Sequence, residues 1–457
     1  MRKPILALAA CCMAQFAFAQ QEDSLAIRRL SDEILTRSQA YENLRVLTKT
    51  IGGRLAGSPQ MVKAEKWGEA ALKAAGADRV FTQECKVPHW VRGEKEQARI
   101  ISNRRDLVPP LNVLALGNSV GTGPQGVTAP VLEVRSFEEL EQKKDQVKGK
   151  IVFYNYPFNN KFIKTFHSYG DAVRFRSQGP SRASRYGALA VIVRSMSHST
   201  DNHPHTGATR YNDSFPKIAA VAIGLQDADR LSKRIAGDPS ARVFLRTTCQ
   251  MLPDTIGHNV IGELKGSEFP DEYITVGGHL DSWDVCEGAH DDGAGCVQSI
   301  EILRAFKAAG IRPKRTLRVV LFANEENGTR GGLKYAELAK ANREKHLFAL
   351  ESDAGGFTPR GFMMEVTEAQ RSKVKSWLPL FLPYGLYDFN EVGGGVDIGP
   401  LRRELGTPVA ELSPDSQRYF DYHHAASDVF EAVNKRELEL GAVGMGALVY
   451  LVDKYGL

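Results

Sequence analysis

The chain has 457 residues, 42% hydrophobic and 25% charged, an ordinary globular composition. Its length suits about two or three domains, each able to bury a core. The net charge of +5 is small for this size, and no long Lys/Arg run or basic–aromatic alternation marks a nucleic-acid face, so nucleic acid is not an expected partner.

The chain opens like an export leader. Arg2 and Lys3 form a basic start, Ile5 to Phe18 is mostly apolar, and Ala17-Phe18-Ala19 is a small-x-small cleavage site. Residues 1–19 are therefore set apart as a signal peptide, and a periplasmic or extracellular location is expected. Leu8-Ala9-Ala10-Cys11 also fits a lipoprotein cleavage box, with anchoring at Cys11 as the secondary reading because the apolar run before it is short. No other stretch approaches the roughly 20 apolar residues of a membrane span. Cys85, Cys249, Cys286 and Cys296 remain after the leader, as free buried thiols or as up to two disulfides whose pairing the sequence leaves open.

Residues 22–75 read as helical, with a Gly-rich break at Ile51–Pro59 and a second helix over Ala64–Ala74. Val80–Val91, Ala98–Ile101 and Leu111–Leu116 are predicted strands. Gly117 to Gly126 turns to Gly, Ser, Thr and Pro, a boundary composition. Strands are then predicted at Val131–Val134, Ile151–Tyr154, Gly187–Val193 and Ile218–Ile223, the pattern of a small α/β module inserted into a larger domain. From Tyr273 onward strands (Tyr273–Val276, Leu317–Phe322, His346–Leu350, Pro408–Leu412) alternate with helices (Ala294–Ala309, Leu333–Ala341, Val374–Leu380, Lys435–Val452). That alternation predicts βαβ units, hence an α/β fold with a mostly parallel mixed sheet sandwiched by helices.

The chemistry gathers at predicted strand ends. Tyr273–Gly278 delivers His279, with Asp281, Asp284, His290, Asp291 and Asp292 close behind. Leu317–Ala323 delivers Glu325-Glu326, and His346–Ser352 delivers Asp353. Ligands of open α/β sheets bind beyond the carboxyl ends of the strands, so these groups can converge there. His423-His424 with Asp428 lie in a loop before the last helix. Asp281, Asp291, Glu325, Glu326 and Asp353 crowded into one crevice would repel one another unless protonated or neutralised. Two divalent cations resolve this, since three carboxylates and a hydroxide balance two Zn²⁺ and two neutral histidines complete their shells.

Gly-His-Leu-Asp-Ser at 278–282, Gly-Ala-His-Asp-Asp-Gly at 288–293, Asn-Glu-Glu at 324–326, Glu-Ser-Asp-Ala-Gly at 351–355 and His-x-x-x-Asp at 424–428 resemble the co-catalytic di-zinc aminopeptidase family in order and spacing. The resemblance covers essentially the whole mature chain. It implies a zinc-exopeptidase fold with an inserted α/β protease-associated domain: 20–119 and 253–457 forming the catalytic domain, 120–252 the insert. It also implies two Zn²⁺ per chain, one held by His279 and Asp353, the other by Glu326 and His424, with Asp291 bridging both. Asp281 would hydrogen-bond the second nitrogen of His279, and Glu325 would be the general base for attack by a metal-bridging hydroxide. The choice of His424 over His423 and of Asp291 over Asp292 follows the family pattern.

The expected activity is a metallo-exopeptidase, an aminopeptidase or dipeptidase acting on small peptides with a free N-terminus, with a homodimer as a candidate assembly. His290 departs from the family pattern and is read as a neighbour of the site, not a ligand. Asp397, in a Gly-rich segment, is read as a substrate-pocket or supporting residue. The competing readings are a glutaminyl cyclase-like enzyme with one zinc and a catalytically inactive peptide-binding module, which would have lost ligands or the base.

Overall fold

The computed structural model describes residues 21–103 and 108–457, so the leader and Cys11 lie outside the described residues. In chain order the strands are β1 (Arg79–Val91), β2 (Gln97–Ile101), β3 (Val113–Ala115), β4 (Val127–Val134), β5 (Ile151–Tyr154), β6 (Ala190–Arg194), β7 (Ala219–Ile223), β8 (Arg242–Arg246), β9 (Gln250–Leu264), β10 (Phe269–His279), β11 (Arg315–Phe322), β12 (Lys345–Glu351), β13 (Pro359–Glu365) and β14 (Val409–Pro414). They form two sheets, in the orders β1-β9-β11-β10-β12-β14-β13 and β2-β8-β4-β5-β6-β7-β3.

The large sheet is mixed and not mostly parallel as expected. β11, β10, β12 and β14 run parallel, while β1–β9, β9–β11 and β13–β14 are antiparallel. The parallel centre is where the sequence shows near-continuous apolar runs, as strands covered on both faces require. The antiparallel flank has a topological cause. The chain leaves the large sheet along β1, builds the second sheet, and returns along β9 directly beside β1. The first half of β9 is largely exposed, so it shows no apolar run, and β13 is a short segment starting at a proline.

One face of the large sheet is packed by the helices Pro59–Ala74, Ala294–Ala308 and Lys435–Tyr455 around a common apolar cluster. Ser58 caps the first by accepting from Met61 N, with Pro59 at the first helical position, so the Gly-rich break ends in a strong helix start. Ala294–Ala308 is buried on almost every side, which places it at the centre of the layer.

The second sheet starts earlier than the composition change at 117–126 suggests, because β2 and β3 belong to it. One of its apolar clusters includes Phe357, Tyr419 and Phe420 from the C-terminal part of the chain. It is therefore seated on the segment that leads to His423-His424. Cys85, Cys249, Cys286 and Cys296 are all free and buried. Among the described residues no helix is long and apolar enough to cross a membrane.

Candidate metal centre

His279 is the last residue of β10, which lies between β11 and β12. Glu325 and Glu326 follow β11, and Asp353 follows β12, so three neighbouring parallel strands aim their chemistry at one crevice. His424 arrives from the loop after the short helix Tyr419–Tyr422, with a left-handed backbone (φ 62).

Asp291 sits between the two histidines. Its Oδ1 is 3.2 Å from His279 Nε2 and its Oδ2 is 3.2 Å from His424 Nε2. His279 Nε2 is also 3.2 Å from Asp353 Oδ1, and His424 Nε2 is 3.0 Å from Glu326 Oε2. The residues read from the sequence thus fall into two groups, His279 with Asp353 and His424 with Glu326, sharing Asp291. Asp291 Oδ2 and Glu326 Oε1 are buried with no hydrogen-bond partner. Buried acceptors without donors, gathered round two imidazoles, are the donor set of a divalent cation site.

Adjacent residues carry contacts of their own, although Asp292 also forms a group with His279 and Asp353 that could hold a metal ion. Asp292 Oδ2 accepts from His279 N at 3.0 Å and its Oδ1 from Gly295 N at 2.9 Å. His423 could complete a group with Asp291 and His424, but it stands 3.9 Å from Asp291 and stacks on the His424 ring at 3.5 Å between centroids. His290 accepts from Gly356 N at Nδ1, lies 3.3 Å from the Ala432 carbonyl at Nε2, and stacks on Phe357; burial holds its pKa down at about 3. Asp284 is paired with Arg92.

Asp281 reaches the second nitrogen of His279 through its backbone. Its backbone carbonyl lies 3.0 Å from His279 Nδ1, so an Nδ1–H donates to it and Nε2 is left facing the carboxylates. The Asp281 carboxylate is 3.7 Å from that nitrogen and instead accepts from Glu325 N at 3.0 Å and Glu326 N at 3.3 Å. It therefore fixes the turn that presents both glutamates. Two further residues support this backbone. Asp428 accepts from His290 N at 2.7 Å and Asp291 N at 3.2 Å, holding the backbone under Asp291. Arg54, fully buried in the Gly-rich break, donates to the carbonyls of Leu280, Glu287 and Gly288 and clasps the loop joining His279 to Asp291. The His-x-x-x-Asp spacing was the available clue to Asp428; no local pattern marks Arg54.

These groups line a cleft of about 730 Å³ that includes Asp291, Glu325, Glu326, Asp353, Glu411 and His424. Burial pushes the Glu325 carboxyl well above its usual range, with Asp353 and Glu326 adding to the effect. Burial and neighbouring Asp291 raise Glu326 to about 7. Behind them, burial and Asp353 raise Glu351 to about 8, and Asp397 is raised well above normal by burial and Glu351, both its oxygens lacking partners.

A pH dependence follows for the metal-free protein. Glu326 and Glu351 hold protons to about 7 and about 8 in the fold, against 4.5 for the free side chain. Between those limits the folded state binds more protons than the unfolded chain, so stability falls as pH rises. The melting temperature of metal-stripped protein is expected to drop from about pH 5 to about pH 7, and added Zn²⁺ to reverse the drop by supplying the missing positive charge.

All the grouped residues, from His279 to His424, fall within 259–448, the segment that matches the model of peptidase family M28. Human carboxypeptidase Q is 36% identical over 416 residues, spanning 91% of this chain and 85% of its own. The chain belongs to peptidase family M28. Among solved structures, a peptidase M28 precursor from Shewanella amazonensis SB2B superposes with a TM-score of 0.89 at 32% identity, covering 95% of this chain and 97% of its own. A zinc aminopeptidase from Bacillus subtilis shares the fold, with a TM-score of 0.63 at 19% identity over 91% of this chain and 95% of its own. The M28 relationship makes this chain a hydrolase of the metallo-exopeptidase kind, and the five sequence blocks that resembled di-zinc aminopeptidases all lie within the matched segment.

Proposed function

We propose that this M28 member is an exported di-zinc exopeptidase that hydrolyses dipeptides or short peptides with a free N-terminus. His279 and Asp353 would hold one Zn²⁺, Glu326 and His424 the other, and Asp291 both. The observation that carries this reading is the Asp291 carboxylate, with one oxygen toward each histidine. The orphaned oxygens of Asp291 and Glu326 fit such ions. When bound, the metal pair supplies Lewis acidity that acidifies a water and polarises the peptide carbonyl. We read the second sheet as the inserted protease-associated domain, and the basic–apolar leader as the support for export.

The protein's own contribution centres on Glu325. Its carboxylate lines the cleft, is not engaged by any hydrogen-bond donor among the described residues, and stands on a turn pinned by Asp281. It takes the proton of the attacking water and delivers it to the departing amine nitrogen. The substrate's α-ammonium would be held beside the metal pair by cleft carboxylates that the metals leave uncommitted, such as Glu411. N-acetylation removes that charge, so kcat/KM for N-acetyl-Ala-Ala is expected to be on the order of 100-fold or more below that for Ala-Ala. Equal rates would refute the free-amine requirement.

A further inference from the structure

Support for His424 comes from outside the large sheet. The loop between β6 and β7 of the second sheet carries His205, Thr206 and Gly207. Thr206 N donates to the His424 carbonyl at 3.0 Å, and the Thr206 carbonyl lies 3.2 Å from His424 Nδ1. A carbonyl only accepts, so Nδ1 carries the hydrogen and Nε2 is left bare toward Asp291 and Glu326. Beside this pair, His205 Nδ1 donates to the His423 carbonyl at 2.7 Å. The backbone of His424 is left-handed (φ 62), a conformation that persists in a residue other than glycine only where the surroundings over-determine it. Both hydrogen bonds to Thr206 bear on that residue.

The loop that makes them is itself held. Thr206 is fully buried, and its Oγ1 donates to the Ala115 carbonyl at 2.8 Å. Gly117 N donates to the Gly207 carbonyl at 3.0 Å, and Thr209 N to the Gly117 carbonyl at 2.8 Å. Arg176 Nη1 donates to the Thr206 carbonyl at 3.2 Å, so His424 and Arg176 share one acceptor. Gly207 (φ 130) makes room for that guanidinium, since a Cβ there would come within 2.4 Å of Arg176 Cζ.

Resting on the two-zinc reading above, we infer that Thr206, backed by Arg176, is a positioning residue for His424, so that the second sheet completes the Glu326–His424 metal site and not the His279–Asp353 site. The two histidines differ in where their support originates. His279 Nδ1 is served by the carbonyl of Asp281, two residues away. His424 Nδ1 is served by a carbonyl 218 residues upstream, in the other sheet's unit. Fixing the tautomer and orientation of a ligating imidazole is worth about 10–100-fold in metal affinity. Coupling of this kind is reciprocal: what the loop contributes to the ion, the ion returns to the seating of the loop. One of the two metal sites therefore depends on how the second unit is docked, and the other does not.

The test measures zinc binding by the full chain in competition with a chromophoric chelator. Thr206→Val keeps the shape of the side chain, and the Ala115 carbonyl keeps its bond from Arg92 Nη1 at 2.8 Å, so no acceptor is orphaned there. Arg176→Gln removes the second donor to the Thr206 carbonyl. Each variant should hold one Zn²⁺ as tightly as the wild type and the other about 10–100-fold more weakly, and metal-free Thr206→Val should melt as the metal-free wild type does. Both ions weakened in step, or neither weakened, would overturn the inference. Hydrogen exchange on the wild type needs no variant. Zinc loading should slow exchange in residues 203–209 by about 10–100-fold while the buried strand Ile151–Tyr154 of the same sheet is unchanged. With zinc in excess, Asp353→Asn should keep that protection and Glu326→Gln should lose it. Exchange in 203–209 that ignores zinc, in a wild type that binds two ions, would overturn the inference and leave the two-zinc reading standing. A wild type that binds no zinc would overturn both.

Discussion

Replacing Glu325 by glutamine is expected to lower kcat on the order of 10³-fold while bound zinc, KM and melting temperature stay near wild type. Glutamine keeps the size and the polarity but cannot accept the water's proton. The turn that carries it is held through its backbone N–H by Asp281, and that contact does not depend on the Glu325 side chain. The atoms proposed to hold the metals are carboxylate oxygens of Glu326, Asp291 and Asp353 and imidazole nitrogens of His279 and His424, none of them from Glu325, so the metal centre should form as before. A variant that retained activity within about tenfold would move the base elsewhere in the cleft.

Replacing Asp291 by alanine should act differently, with a loss of metal as well as of rate. Among the described residues, Asp291 is the one carboxylate with an oxygen toward both His279 and His424. Without it each histidine keeps a single carboxylate companion, Asp353 or Glu326. Zinc content measured after dialysis should fall below one per chain and hydrolysis should fall to background, a larger loss than the roughly 10–100-fold cost of removing a residue that only supports a ligand. Asp428→Asn serves as the comparison. It weakens the grip on the Asp291 backbone without removing a ligand, so it should retain metal at high zinc and lose only part of the activity.

The strand ends were legible because each combines an apolar run with an abrupt His, Asp or Glu: His279 after Tyr273–Gly278, Glu325-Glu326 after Leu317–Ala323, Asp353 after His346–Ser352. Burial on both faces forces the first part of that pattern, and the ligand chemistry forces the second. Strand direction was not legible, because composition does not record that β1 and β9 are the exit from and the return to one sheet. The selection of His424 over His423 came only from family spacing; in space the two rings stack, and it is the distance to Asp291 that separates them. Sequence proximity of Asp281 to His279 does not distinguish a carbonyl contact from a carboxylate contact; in space the carbonyl stands at 3.0 Å and the carboxylate at 3.7 Å. Arg176 reaches His424 from more than two hundred residues upstream, within a helix that carries no local mark of the site.

The account stands most directly on metal stoichiometry coupled to rate. Zinc-free protein, prepared by exhaustive chelation, should be inactive on Ala-Ala and regain activity as Zn²⁺ is added, with the rate reaching its plateau when two ions are bound per chain. Full activity in the metal-free protein, or a plateau at one bound ion per chain, would contradict it.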